Sequence, residues 1–162
     1  MDLSKFTERS RGFIQAAQTI ATRENHQRLA PEHLLQALMD DDQGLASNLI
    51  TSSGGNATRV REALALAMDK MPKVTGDAAQ VYLDTATNKM LAGAESVAKK
   101  DGDCFVPVDR ILMALCMVKS AAKDALEAGH VSAQALHTAI NDVRKGRTAD
   151  TASAEDGYEA LK

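Results

Sequence analysis

An internal repeat constrains the fold of this chain more than any other feature of its sequence. With an offset of 77 residues, positions 33–38 (HLLQAL) align with positions 110–115 (RILMAL). Further aligned pairs are Ala17 with Ala94, Ile20 with Val97, Ala21 with Ala98, Leu49 with Leu126 and, after a small deletion, Leu64 with Ile140. Because a unit of about 65 residues buries little core alone, the two halves are expected to pack together, with a groove at their seam.

Apolar residues recur at the three-and-four spacing of helices in both halves, so the sequence predicts an all-α fold. About eight helices form two four-helix repeats related by a pseudo-two-fold axis. Ser4 or Thr7 is expected to be the N-cap of the first helix, and Pro31 to lie at the start of the second. Residues 45–52 are expected to form the third helix, and the fourth to begin near Asn56 and end at Pro72. Leu83 is expected within the fifth helix, and Ser132 as the N-cap of the last. Met68 and Met71 are assigned to the inner face of the fourth helix.

The same pattern predicts the domain organisation. Repeat one covers about residues 1–71, a connector without helical period covers 72–82, and repeat two covers 83–145. After that the composition becomes small and polar. Residues 146–162 are therefore predicted to be a mobile linker without core positions before Tyr158 and Leu161.

Composition excludes several classes of partner. The chain is 44% hydrophobic but only 3% aromatic, so its core must be built from aliphatic side chains and methionine. Its formal net charge is -3, with acidic and basic residues interspersed, which does not attract a nucleic acid. No run of 18 apolar residues predicts a membrane span. Without a signal peptide, Cys104 and Cys116 are expected to be reduced thiols in the cytoplasm.

Sequence motifs for catalysis are also missing. The chain has no GxxxxGK(S/T) phosphate-binding motif, no HExxH and no CxxC. The pairs His26 with His33 and His130 with His137 are seven residues apart, but neighbouring glycines and Pro31 argue against one continuous helix through each pair. The sequence therefore predicts no enzyme activity, no metal and no cofactor for these 162 residues.

Three segments together resemble the Clp repeat domain of the ClpA, ClpB and ClpC chaperones. They are FTERSRGF near the start, LAPEHLLQAL in the first repeat and DGDCFVPVDRILMAL in the second, and the resemblance covers residues 1–145. The connector PKVTG and the terminal SAEDGYEALK resemble the ClpB branch. The resemblance implies a double Clp-N motif followed by an AAA+ ATPase domain.

The resemblance also implies a function. Such proteins are cytoplasmic hexamers that use ATP and Mg to thread aggregated proteins through a pore, together with the DnaK chaperone system. The N-terminal domain would be a non-catalytic, monomeric module that engages exposed apolar or unfolded segments. One alternative is a ClpA/ClpC-type adaptor and degron receptor domain of a Clp protease. A helix-turn-helix regulator is a third hypothesis, which the negative charge disfavours.

For substrate binding, the resemblance implies an apolar groove near the repeat interface that includes Thr7, Leu91, Asp103, Asp109 and Arg110. Thr7 is equally expected to cap the first helix, and Leu91 to be a core residue beside the apolar stripe. The two aspartates either cap backbone amides or attract a basic group.

Two further residues complete the predicted site. Glu32 is the repeat partner of Asp109 and is included with it. Related ClpB domains tend to have an apolar residue where this chain has Arg110, which predicts a smaller groove or one selective for acidic segments. The methionines, among them Met71, Met90, Met113 and Met117, are expected to fill the core more often than to form an adaptable surface.

Overall fold

The computed structural model describes residues 3–41, 44–73, 81–145 and 147–153, and within them it contains eight α-helices. These are α1 (Glu8–Arg23), α2 (Pro31–Met39), α3 (Leu45–Ser52), α4 (Ala57–Asp69), α5 (Thr85–Lys100), α6 (Val108–Met117), α7 (Ala121–Ala128) and α8 (Ala133–Arg144). Two strands of two residues, β1 (Arg28–Leu29) and β2 (Tyr82–Leu83), pair in parallel. The predicted all-α fold is confirmed.

Side-chain caps explain several helix starts. The hydroxyls of Thr7, Ser120 and Ser132 and the amide oxygen of Asn56 each accept a hydrogen bond from the backbone N–H three residues ahead. Pro31 occupies the first position of α2, where its missing N–H costs nothing. The predicted caps at Thr7 and Ser132 are therefore confirmed.

The two repeats exchange equivalent hydrogen bonds. Leu29 of β1 is paired with Leu83 of β2, and Phe6 forms an isolated bridge with Val106. The two pairs are equivalent, because Leu83 lies 77 residues after Phe6 and Val106 lies 77 residues after Leu29. Two hydroxyls reinforce these pairings: Ser10 Oγ donates to the Val106 carbonyl at 2.9 Å, and Thr87 Oγ1 donates to the Leu29 carbonyl at 2.6 Å. In each repeat, the segment before the second helix is thus hydrogen-bonded to the other repeat. This reciprocity is expected for two repeats related by a pseudo-two-fold axis.

The core lies around α2 and α6, the second helix of each repeat. All of α6 except Met117 is buried, and all of α2 except Gln36. Aliphatic side chains and Phe6 supply most of this core, while Met90 and Met113 fill it as predicted. The close contact of α4 with α7 joins the repeats, since Gly129 approaches Val60 and its carbonyl accepts the Asn56 N–H at 2.8 Å.

The structure corrects three local predictions. Leu83 lies in β2 and is 44% exposed, because the N-cap of α5 is Asp84. Met71 follows the end of α4 in a turn, where it is half-buried. Ala149 is completely buried, so the predicted lack of core positions before Tyr158 is wrong. Residues 74–80 of the predicted connector and 146 and 154–162 of the predicted linker lie outside the described residues.

Candidate functional site

Three of the predicted site residues, Asp103, Asp109 and Arg110, lie in a buried cluster of charges. This Asp–Arg network is completed by Asp101 and Arg144. Arg144 binds Asp109 in a bidentate manner: Nη2 donates to Oδ1 at 2.6 Å and Nε donates to Oδ2 at 2.9 Å. Its Nη1 donates to Asp103 Oδ1 at 2.8 Å. Burial opposes the charge of Arg144, but Asp109 and Asp103 outweigh burial and raise its pKa.

Arg110 completes this network. Its Nε donates to Asp103 Oδ2 at 3.1 Å, and its Nη1 lies 3.2 Å from Asp101 Oδ2. The side chain is almost completely buried and also contacts the sulfur of Met113 at 3.3 Å. Because two carboxylates already hold this guanidinium, selection of acidic segments by Arg110 would require the network to open.

The other two predicted residues of this region have structural contacts. Thr7 is completely buried: its hydroxyl caps α1, and its N–H donates to the Val106 carbonyl at 3.0 Å. Leu91 is 1% exposed and belongs to the core. The structure therefore favours a capping role for Thr7 and a core position for Leu91. The expected exposed apolar patch does not lie at Leu91.

Glu32 lies apart from these residues, at a cleft between the two repeats. This repeat-junction cleft has a volume of about 500 Å³ and is lined by α4, the turn after it and α7. Its lining residues are Glu32, Ala63, Leu66, Ala67, Lys70, Met71, Pro72, Ala121, Asp124 and Ala125. Leu66 is 63% exposed, so an aliphatic surface at the seam is open to water. A second hollow of about 300 Å³ shares Glu32, Met71 and Pro72 with it.

Glu32 as a whole residue is only 8% exposed. Burial raises its pKa, and the negative charges of Asp84 and Asp124 act in the same direction, against opposing backbone hydrogen bonds. Among the described residues, no Lys, Arg or His nitrogen lies within 4 Å of this carboxylate. Its repeat partner Asp109 is instead bound by Arg144, so only the second repeat supplies its own counter-charge.

The reason for this difference is visible in the repeat. After the small deletion that aligns Leu64 with Ile140, Arg144 falls on Met68. An inward-facing position thus has a thioether in α4 and a guanidinium in α8. Arg144 was missed by sequence reasoning, although a charged residue at a core position of the last helix was the available signal.

A buried histidine pair occupies the first repeat. His26 Nδ1 lies 2.8 Å from His33 Nε2, and both side chains are almost completely buried. Sequence reasoning had considered these residues only as metal ligands. Among the residues that the structure describes, no three His, Cys, Asp or Glu side chains are grouped to bind a metal ion. Within the same residues, no helix combines the length and the apolarity needed to cross a membrane.

The fold and the sequence together define the class of protein. Residues 5–129 match the Clp repeat (R) N-terminal domain family, and the chain belongs to this family. Among solved structures, the Hsp104 N-terminal domain from Candida albicans superposes with a TM-score of 0.81 at 19% identity, covering 93% of this chain and 99% of that one. The N-domain of ClpV from Vibrio cholerae gives 0.71 at 15% identity, covering 92% and 90%. At such identities these likenesses concern the fold alone.

Relatives with higher sequence identity share one protein name. The chain is 54% identical to the chaperone protein ClpB of Mesorhizobium japonicum and 49% identical to that of Rhizobium meliloti, in each case over 100% of this chain. It spans 19% of the length of these relatives. The predicted resemblance to the N-terminal domain of the ClpB branch is thereby confirmed.

Proposed function

We propose that this chain is the non-catalytic, substrate-engaging domain of an ATP-dependent protein disaggregase, and that it holds apolar segments of unfolded or aggregated proteins in the repeat-junction cleft. The observation that carries the proposal is the water-open aliphatic surface between α4 and α7, with Leu66 63% exposed. The proposal includes the setting implied by the family: a cytoplasmic hexamer that uses ATP and Mg and works with the DnaK system.

The cleft suits short apolar side chains better than a folded surface. Its walls are formed by alanines and by Leu66, Met71 and Pro72, and such a lining is adaptable and not shaped for one ligand. A single contact of this size would be weak. Six copies in a hexamer would compensate, because tethering raises the effective concentration of the domain near an aggregate.

Charge complementarity specifies the occupant further. Glu32 and Asp124 place two acidic groups beside the apolar wall, with Lys70 as the basic lining residue. The bidentate contact of Arg144 with Asp109, the repeat partner of Glu32, supports a basic group as the occupant beside Glu32. We therefore propose that the cleft prefers an apolar residue next to an arginine or a lysine, with Glu32 as the contact for the basic group.

The other predicted substrate residues have a different part in this proposal. Asp103, Asp109 and Arg110 would act by holding the second repeat together, and Thr7 and Leu91 by fixing α1 and α5. The alternative of a ClpA/ClpC-type degron receptor stays a prediction, because no described contact favours it.

The test is an NMR titration of the 162-residue chain with a permanently unfolded protein, such as reduced and carboxymethylated α-lactalbumin. Leu66→Ser removes the exposed wall of the cleft and is expected to weaken binding about tenfold. Met117→Ser is the matched control, since Met117 is 51% exposed outside the cleft lining. Equal losses in the two variants, or no shifts at Leu66 in the unsubstituted chain, would contradict the proposal.

A further inference from the structure

The segment after α8 turns back onto the domain. Lys145 caps α8 in a left-handed conformation (φ 52°), and residues 147–153, the tail segment, follow this reversal. The Ala152 carbonyl accepts a hydrogen bond at 2.8 Å from the N–H of Glu8, the first residue of α1. The tail segment therefore reaches from the end of the last helix to the start of the first.

Ala149 is the most firmly held residue of the tail segment. Its N–H donates to Asp103 Oδ1 at 2.7 Å, and its carbonyl accepts from the N–H groups of Cys104 at 2.8 Å and Phe105 at 2.9 Å. Its methyl group is completely buried, whereas Arg147, Asp150, Thr151 and Ser153 are exposed. The domain thus binds the main chain of this residue and encloses its small side chain, and the Cys104 thiol also contacts Asp150 Oδ1 at 3.9 Å.

This attachment is weak enough to open. Four hydrogen bonds to the domain and one buried methyl group stabilise the attachment. The conformational entropy of seven ordered residues opposes it and is the larger of the two contributions. The first repeat offers a comparison. There Lys73, which aligns with Ala149, forms an isolated bridge with His26, which aligns with Asp103. Lys73 follows α4 as Ala149 follows α8. The hydrogen bonds of Ala149 can break without the unfolding of α8.

Opening would expose unsatisfied groups. The N–H groups of Cys104, Phe105 and Glu8 would lose their acceptors, and Asp103 would lose one donor while it kept Arg110 and Arg144. These groups form a notch that can bind any extended chain with a small residue at its centre, since main-chain recognition does not depend on the other side chains. Two predicted substrate residues, Thr7 and Asp103, adjoin or form this notch.

We infer that the tail segment is a resident ligand of this notch, and that it competes there with extended, small-residue segments of unfolded proteins. The inference rests on the proposed function for the identity of the competitor. The inference adds the notch as a second contact surface besides the repeat-junction cleft. The tail segment would be autoinhibitory, because it controls access to the notch. The chemical preference of the notch also differs: alanine, glycine or serine at the central position, where the methyl group of Ala149 is completely buried.

The first experiment uses the full 162-residue chain with Ala149→Leu, whose side chain cannot fit where a methyl group is completely buried. Thr151→Leu is the matched control, because it adds an apolar side chain to the same segment at an exposed position. The probe is a fluorescent, end-blocked peptide of residues 147–153 (RTADTAS). It is expected to bind the A149L chain at least about tenfold more tightly than the unsubstituted or T151L chain, where the tethered tail competes at about millimolar effective concentration.

A peptide with leucine in place of its first alanine is expected not to bind any of the three chains. Equal binding of RTADTAS to all three chains, or none to A149L, would overturn the inference. Unfolded carboxymethylated α-lactalbumin is then added to the peptide complex of A149L, and displacement of the peptide is expected. If the unfolded protein shifts Leu66 but leaves the peptide bound, the competition is refuted while the proposed function stands. If it binds nowhere, the proposed function itself fails.

Hydrogen exchange on the unsubstituted chain provides a measurement that does not depend on how A149L folds. Addition of the unfolded protein is expected to raise the exchange rate of the Ala149 amide several-fold, while the Cys104 and Phe105 amides stay protected by the new occupant. A tail that is merely structural would show unchanged exchange at all three amides, and this result would also overturn the inference.

Discussion

His26 and His33 form a buried hydrogen bond of 2.8 Å at the two positions that Asp103 and Arg110 occupy in the second repeat. Each pair ties the segment before a repeat's second helix to that helix. The Ala30 N–H donates to His33 Nδ1 at 2.9 Å, so His33 carries its proton on Nε2 and donates it to His26 Nδ1. One repeat thus uses two neutral rings where the other uses an ion pair.

This pair makes stability depend on pH. Burial lowers the pKa of His33 from 6.5 to about 4 and also lowers that of His26. His33 therefore binds a proton below about pH 6.5 in the unfolded chain but only below about pH 4 in the folded chain. Its contribution to the free energy of unfolding is complete above pH 6.5 and is lost as the pH falls from 6.5 to 4. The loss from His33 reaches at most about 3 kcal/mol.

Urea unfolding between pH 7.5 and 4.5 measures this effect. His33→Gln is expected to be less stable at pH 7.5 but to show a flatter dependence on pH. His130→Asn is the control, since His130 is exposed and its positive φ of 60° suits asparagine. Glu32→Gln should be tested beside them, because the raised pKa of Glu32 makes its contribution to the free energy of unfolding larger at low pH, which is opposite to the effect of His33. Parallel pH curves for H33Q and the unsubstituted chain would refute the prediction.

The Asp–Arg network predicts that its two arginines are not equivalent. Arg144→Met copies the residue at the aligned position of the first repeat and leaves Asp109 buried without its partner, which is expected to cost about 3 to 5 kcal/mol of unfolding free energy. Arg110→Leu leaves Asp103 and Asp109 with Arg144 and should cost clearly less. Denaturant unfolding of both variants decides this, and a larger loss for R110L would contradict it.

The packing of α4 on α7 predicts opposite effects for two glycines. A Cβ at Gly129 would clash with Val60 Cγ2 and lie 2.7 Å from the Asn56 carbonyl oxygen, so Gly129→Ala is expected to destabilise by about 1 to 3 kcal/mol. Gly93, inside α5, has only Val118 Cγ2 at 3.8 Å, and Gly93→Ala should stabilise by about 0.5 to 1 kcal/mol. Thermal unfolding of the two variants should therefore shift in opposite directions, and a stabilised G129A would show that α4 and α7 are not in this contact.

The proposed role of Glu32 predicts a charge-dependent preference. Two peptides that differ only in arginine or glutamine beside a leucine should differ in affinity for the unsubstituted chain by about fivefold to tenfold, and Glu32→Gln should abolish the difference. Asp142→Asn, at an exposed position of α8, is the control for a lost negative charge. Fluorescence anisotropy measures the six affinities of the two peptides for the three chains, and a preference retained in E32Q would exclude Glu32 as the contact.

Local order was determined by the sequence to a large degree. The apolar spacing, the caps at Thr7 and Ser132 and the proline at the start of α2 act within one turn of helix, so they could be recognised without coordinates. The 77-residue offset likewise predicted the paired repeats. Leu83 was misplaced because its strand pairing with Leu29 is a contact between repeats, which overrides the helical spacing that continues into α5.

The character of the candidate site was decided by tertiary structure alone. Asp109 receives its counter-charge from Arg144, which lies 35 residues further along the chain in another helix, and this contact is not encoded within either segment. Ala149 became a core residue because its N–H donates to Asp103 and its carbonyl accepts from the N–H groups of Cys104 and Phe105, which draws a polar-looking segment onto the domain. Sequence patterns report which side chains avoid water, whereas partners far apart along the chain meet only when the helices have packed.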